Sequence, residues 1–299
     1  LTYEFKLVTE RDGGDVVLED AWVQYEFAKG WAVLFGQFRD PVFNEELVSS
    51  KYLLAADRSL VNRLLGAPTG FVQGVSLVYG DADTPLHSAL ALHDGAGSIN
   101  TDFRDSQREP GFVGSFGVAG RAEYKLAGDW KNYKDFTALG TKRDLLVVGA
   151  AADWTQGPDA DIIFGTADAQ WETATGFGLY AAVLVNAADV RRGTAPGTRC
   201  DWGGLVQASY LFAPQWEAFA RYDVTLLDHP PDGGGDTFNE LTVGVNHYFG
   251  PGGRFGHRAK FTLDLTYLPD GAPSDATGLG ILASEGDQFV IRGQFQLVL

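Results

Sequence analysis

The sequence is short of several things, and each shortage narrows the reading. It has no run of about 18 apolar residues, the length a helix needs to cross a bilayer. Its longest apolar run, Leu145 to Ala152, is far shorter and contains Gly149. A transmembrane helix is thereby excluded, but not a transmembrane barrel, whose strands are apolar on one face only. There is one cysteine, Cys200, so no internal disulfide can form. It falls in a polar stretch that reads as a loop. Cations are scarce: 23 Lys and Arg stand against 39 Asp and Glu, for a net charge of −16 and a pI of about 4.6. Nucleic acid is therefore not an expected partner, because phosphate binding wants clustered cations. The five histidines make no HxxxH or HExxH pattern, and there is no GxSxG elbow or Walker loop. The carboxylates between Asp159 and Asp168 lack a partner that would mark glycoside hydrolysis. The acidic stretches Asp94 to Asp105 and Asp232 to Asp236 match no calcium-loop spacing and read as solvated surface. No catalysis, cofactor or metal is expected. No leader is visible; the chain opens on LTYEFKLV, already in strand rhythm. The expectation is that a leader was removed or that the sequence begins partway through a longer protein.

What is present is β-rich. Aromatics make up 13% of the chain and glycines number 38, supplying strand surfaces and turns. Alternation of period two recurs. Phe261, Leu263, Leu265 and Tyr267 oppose Arg258, Lys260, Thr262 and Asp264. Trp216, Ala218, Tyr222 and Val224 oppose Glu217, Arg221 and Asp223. In the last strand Phe289, Ile291, Gly293, Phe295 and Leu297 oppose Gln288, Arg292, Gln294 and Gln296. One apolar face per strand fits a soluble sandwich, and equally a membrane barrel with a wet lumen. Strands of about ten residues with charges at their centres favour the barrel. Connection lengths favour it too. About 14 strands are expected, and their connections alternate between tight ones, such as Ala28–Gly30 and Ala213–Gln215, and long ones, such as Asp40–Gly70, Ala96–Gly111, Val190–Cys200 and Pro269–Gly286. Short turns on one side and long loops on the other mark an up-and-down membrane barrel. Two connections fit the rhythm less well, the short Gln156–Asp161 and the long Ala127–Arg143. Aromatics near strand ends, including Trp22, Trp31, Trp154, Trp171, Trp202, Trp216 and Tyr248, suit an interfacial girdle. No domain boundary is visible, so residues 1–299 read as one all-β domain.

One stretch breaks the rhythm: GQFRDPVFNEELVSSKYLLAADRSLVNRLL, Gly36 to Leu65. It follows the strand-like Trp31 to Phe35. Pro41 then ends the ladder, since it has no N–H to donate. A helix-like passage follows, with Leu53, Leu54, Leu60, Leu64 and Leu65 at mixed three- and four-residue spacings. Strand character returns at Phe71. Loops this long inside a β protein are usually functional, and the segment 40–70 reads as a loop that narrows a pore.

The words GQFRDPVFNEELVSSKYLLAADRSLVN, preceded by VVLEDAWVQYEF, resemble the phosphate-selective porin O and P family of Gram-negative outer membranes. So do GRAEYKLAGDWKNYKDFTALG, the following DLLVVGAAADW, and the closing strand. The resemblance implies a sixteen-stranded transmembrane antiparallel β-barrel, a homotrimer in contact with outer-membrane lipid and lipopolysaccharide, and a third outer loop folded into the lumen. The first strand here would match the family's third, and 40–70 would match its constricting loop. On that placement the constriction candidates are the cations Arg39, Lys51, Arg58 and Arg63 and the anions Glu45, Glu46 and Asp57. Charge at the narrowest point of a pore governs selection, because water is scarce there and the field strong. A lumenal ladder would comprise Lys6, Arg121, Lys125, Arg221, Arg258, Lys260 and Arg292. Acids on the same faces, including Glu4, Glu123, Glu217, Asp223 and Asp264, make a self-compensating polar wall the favoured reading. The implied function is passive diffusion of ions and small hydrophilic solutes. A phosphate- or polyphosphate-selective anion channel and a non-conducting structural barrel of the envelope are the alternatives.

Overall fold

The structure, a computed structural model, describes residues 1–9, 16–98, 113–192, 196–228, 235–273 and 286–298. Parts of both acidic stretches and the terminal Leu299 lie outside these. Fourteen strands form one antiparallel sheet in simple sequential order. They are β1 (Thr2–Thr9), β2 (Val16–Ala28), β3 (Trp31–Arg39), β4 (Phe71–Tyr79), β5 (Leu86–His93), β6 (Phe116–Ala127) and β7 (Leu145–Gln156). They continue with β8 (Ala160–Glu172), β9 (Phe177–Val190), β10 (Gly197–Ala213), β11 (Trp216–Leu226), β12 (Thr237–Tyr248), β13 (Ala259–Leu268) and β14 (Gln288–Leu297). Every neighbouring pair is a hairpin, the up-and-down arrangement expected, and the structure is an all-β barrel with a long loop folded inside. Asp40–Gly70 is the whole connection between β3 and β4.

Burial runs the reverse of a water-soluble fold. On β13, Leu263 is 44% exposed and Leu265 40%, whereas Asp264 is 2% and Thr262 0%. The same inversion holds on β11, where Trp216 and Tyr222 are exposed and Glu217, Arg221 and Asp223 buried. A strand that turns apolar residues outward and charges inward is stable only where the outside is lipid and the inside polar. The register makes this work across strands. Asp264 sits directly opposite Arg292 on β14, so opposite charges meet on the inner face.

Three expectations are corrected. Trp22 and Tyr248 do not belong to an outer girdle. Val23, Tyr25 and Phe27 take the outward parity on β2, which turns Trp22 in against the core. Tyr248 is fully buried and gives its hydroxyl to Glu217 at 2.6 Å. Cys200 lies in β10 rather than in a loop, because the β9–β10 ladder runs on to Val190 and Gly197. The helix-like passage of the long loop is not one helix. It contains an α-turn at Asn44–Leu47, a 3-10 turn at Ser50–Tyr52, and a helical stretch that starts at Leu60 and runs through a π-turn at Asn62–Gly66 into a 3-10 turn at Ala67–Thr69. Its leucines are spaced to reach two walls, not one helix face.

Gly36 is a fixed point of the β2–β3 ladder. Its φ is +123°, and a Cβ there would lie 2.1 Å from the Ala21 carbonyl oxygen and 2.9 Å from the Trp22 Cα. Gly36→Ala is expected to cost at least about 1–3 kcal/mol from backbone strain and to weaken the folded, heat-modifiable band on SDS gels. Gly204→Ala, whose Cβ would meet only the Ala182 oxygen at 3.9 Å, is expected to leave that band unchanged. Equal behaviour of the two variants would contradict this account.

Candidate functional site

The long loop crosses the interior from β3 to the opposite wall. Its apolar residues Val42, Phe43, Leu53, Leu54, Val61 and Leu65 are buried with the wall residues Phe164, Leu184, Leu205 and Phe219. The approach to β10 is close enough to require a glycine: a Cβ on Gly203 would lie 2.1 Å from Val61 Cγ2. Burial of an irregular backbone leaves amides and carbonyls needing partners, and the wall provides them. Ala56 N–H donates to Asp264 (2.8 Å), Leu60 N–H to Glu240 (3.0 Å) and Val61 N–H to Asp223 (2.9 Å). The carbonyls of Val42, Leu53 and Leu54 accept from Arg121 Nη1 (2.9 Å), Lys260 Nζ (2.7 Å) and Asn246 Nδ2 (3.0 Å). Gln296 reaches the Lys51 carbonyl at 3.2 Å. Leu60 and Val61 open the helical stretch that runs on through Asn62–Gly66. The first amides of a helix have no carbonyl four residues back, and here the wall carboxylates take them.

Arg221 on β11 is the busiest anchor. It donates to Glu240 Oε1 (2.6 Å from Nη2) and to the carbonyls of Asp57 (2.9 Å) and Arg58 (3.2 Å). Within the loop, Arg58 donates to the carbonyls of Glu45 (2.9 Å) and Val48 (3.0 Å) and stands 3.4 Å from Glu46. Arg39 joins Glu46 at 3.1 Å and lies over the Phe71 ring at 4.7 Å. Glu45 accepts from Ser59 N–H (3.0 Å) and Oγ (2.6 Å). Burial raises the Glu45 carboxyl above the usual carboxylate range, opposed by Arg221 and the Ser59 hydrogen bonds. Burial raises Asp57 likewise, opposed chiefly by Arg292.

The structure therefore brings Arg39, Glu45, Glu46 and Arg58 together as the loop's internal frame, while the Asp57 carboxylate accepts from the neighbouring Arg58 N–H (3.2 Å). Arg63 differs. It sits exposed on the π-turn and, among the described residues, makes no ion pair. Lys51 rests over Tyr52, 5.0 Å from the ring centre. Of the lumenal cations, Arg121 pairs with Glu123 (2.6 Å) and Asp168 (2.9 Å), Arg292 with Asp264 (3.1 Å), and Lys6 with Glu19. Lys260 is buried on the Leu53 carbonyl. Lys125 lies over Trp130, and Arg258 is exposed.

Sequence reasoning missed the wall anchors Glu240 and Asn246. Their signal was their inward parity on β12, shared with Thr242 and Tyr248. It also missed that the connection after β6 folds inward. There the Phe136 ring packs tilted against Tyr180, centres 4.6 Å apart, and Thr137 Oγ1 donates to Glu217. Beside this connection, at the short-turn end, lies a cavity of about 460 Å³ lined by Tyr52, Lys131, Lys134, His257 and Arg258.

The profile of the phosphate-selective porin O and P family matches residues 1–269. The chain belongs to that family. It is an outer-membrane porin, a channel protein. No curated protein matches it in sequence. Among solved structures it is similar in fold to OmpF of Salmonella typhi (TM-score 0.60, 13% identity, 95% of this porin and 79% of that chain covered). It is also similar to an anion-selective porin from Comamonas acidovorans (0.54, 12%, 93% and 75%) and to OmpT of Vibrio cholerae in its trimer form (0.52, 13%, 96% and 78%). Placement in a Gram-negative outer membrane agrees with the inverted burial of its strands.

Removing Arg221 would leave Glu240 and Asp223 buried without their cation and two loop carbonyls without a donor. Arg221→Ala is expected to destabilise the porin by about 3–5 kcal/mol in denaturant unfolding, and to open the bonds after Arg58 and Arg63 to trypsin. Lys131→Ala, at an exposed position, should stay within about 0.5 kcal/mol of wild type. Unchanged tryptic protection in folded Arg221→Ala would show that the loop is held by other contacts.

Proposed function

We propose that this porin is a passive diffusion channel for ions and small hydrophilic solutes, that the segment 40–70 forms its constriction, and that three copies assemble in the membrane. One observation carries the reading: the basic residues of loop and wall are largely engaged by acids or carbonyls. Arg39, Arg58, Arg121, Arg221 and Arg292 all have such partners. A wall whose charges cancel locally presents a mixed field, which admits small polar solutes without strong preference for one sign. Arg63 is the exposed cation of the constriction, with Lys51 half-exposed toward the short-turn end. The carboxylates of that constriction, Glu45 and Glu46, are buried in its frame. The homotrimer rests on the fold shared with the trimeric OmpT of Vibrio cholerae.

The phosphate- or polyphosphate-selective reading has one observation in its favour. Lys131, Lys134 and Arg258 line the cavity beside Tyr52, whose ring lies under both Lys51 and Lys134.

Planar-bilayer recording across a salt gradient separates these readings. The expected result is steady open steps with weak selectivity, insensitive to added phosphate, and a shift of reversal potential toward cations in Arg63→Glu. Anion-selective steps reduced by phosphate would replace this reading with the selective one. Folded porin without conductance would point to the structural envelope barrel. Cross-linking in detergent is expected to give a three-chain species.

A further inference from the structure

Where the long loop leaves β3, three side chains from distant parts of the chain converge. Asp40 follows the last residue of β3, His93 ends β5, and Asp153 lies near the end of β7. One ligand atom from each falls within 4.8 Å of the other two, and all three residues are buried. The His93 ring extends across β6 over Gly117, where a Cβ would sit 2.2 Å from Cε1. Its Nε2 comes to 2.7 Å from Asp153 Oδ2, with both side chains fully enclosed, yet the two atoms are not aligned as a hydrogen bond. Both carboxylate oxygens of Asp40, a residue only 1% exposed, have no hydrogen-bond partner. Other buried acids of the lumen have partners: Asp168 meets Arg121, Glu240 meets Arg221 and Asp264 meets Arg292, while Glu172 and Glu217 accept from hydroxyl and amide donors. Among the described residues, no lysine or arginine forms an ion pair with Asp40 or Asp153. Three enclosed carboxylate oxygens without a hydrogen-bond partner, both of Asp40 and Oδ2 of Asp153, therefore stand beside one imidazole nitrogen with no lysine or arginine to balance them.

We propose that Asp40, His93 and Asp153 bind a divalent transition-metal ion of the zinc class, fastening the root of the loop to β5 and β7. One imidazole nitrogen and two carboxylates suit such an ion, with water completing the coordination. Calcium wants six to eight oxygens and is a poor match. The surroundings supply support for the ligands. Thr155 Oγ1 donates to Asp153 Oδ1 at 2.7 Å, leaving Oδ2 for the ion, and itself accepts from Ala96 N–H at 2.9 Å. Gly95 N–H lies 3.1 Å from His93 Nδ1. An ion on Nε2 moves the ring proton to Nδ1, so the Asp94–Gly95 peptide must then turn its carbonyl toward that proton. Gly95, at φ +110°, has the freedom to allow this turn.

The test uses untagged, folded porin in detergent, stripped with EDTA, offered Zn²⁺ alone and desalted, with metal counted by mass spectrometry. About one zinc per chain is expected for wild type, with Asp40→Asn and His93→Gln retaining about a tenth of that or less, and Ca²⁺ not retained. Heat-modifiable migration on SDS gels establishes that each variant is folded. Wild type without zinc, folded variants that keep as much as wild type, or retention of Ca²⁺ in place of zinc would each overturn the proposal. If either variant does not fold, wild type loaded with Co²⁺ decides. Visible bands shifted from those of the aqueous ion by nitrogen ligation support the site, and the aqueous spectrum overturns it.

Discussion

An irregular chain can lie inside a barrel only if its backbone polar groups find partners there, and much of this structure follows from that requirement. The loop from Asp40 to Gly70 satisfies it with contacts made one group at a time. Wall carboxylates take the amides of Ala56, Leu60 and Val61, and wall donors take the carbonyls of Val42, Leu53, Leu54 and Asp57. Each wall acid that accepts an amide is a buried charge needing its own compensation. Arg221 serves Glu240 and Arg292 serves Asp264. The lumenal charges are thus two layers of one arrangement: acids that hold the loop, and arginines that make those acids tolerable.

That arrangement bears on conduction. A residue that anchors the loop has little freedom to escort a solute, and Arg121, Arg221 and Lys260 are all buried. Arg63 on the loop and Lys131, Lys134 and Arg258 beside the short-turn cavity are instead exposed. In this porin the acidic composition and the placement of exposed cations are therefore separate properties. Net charge describes the whole surface, whereas selectivity belongs to the few groups at the narrowest point.

Much of the fold was legible in the sequence, because strand parity is a local property. The alternation on β11, β13 and β14 assigns the correct residue to each face, and Pro41 with the return of strand character at Phe71 bounds the loop where the structure does. What was lost depended on contacts across the barrel. The leucine spacings from Leu53 to Leu65 look like one helix in isolation, but helical backbone begins only at Leu60, and its opening amides, those of Leu60 and Val61, are held by Glu240 and Asp223, far along the chain. Trp22 and Tyr248 look like girdle residues by position, and only the parity of their own strands turns them inward. The histidine patterns sought for a metal were contiguous ones, and no contiguous pattern describes Asp40, His93 and Asp153.

The two ends of the loop are held by different physics. Its far side rests on hydrogen bonds to carboxylates that are themselves paired with arginine, so each contact is partial and the set is redundant. Its root rests on Asp40, whose backbone is secured by Gly70 (Asp40 N–H to the Gly70 carbonyl, 3.1 Å) while its carboxylate has no donor. Burial, and then the neighbouring Asp153 carboxylate, push the Asp40 carboxyl well above its ordinary range. A distributed set of anchors tolerates the loss of a weak member such as the Gln294 contact at 3.4 Å. The root is held by fewer contacts, the Asp40 amide on Gly70 and the Val42 carbonyl on Arg121, so the position of the loop is most sensitive at the point where it leaves the wall.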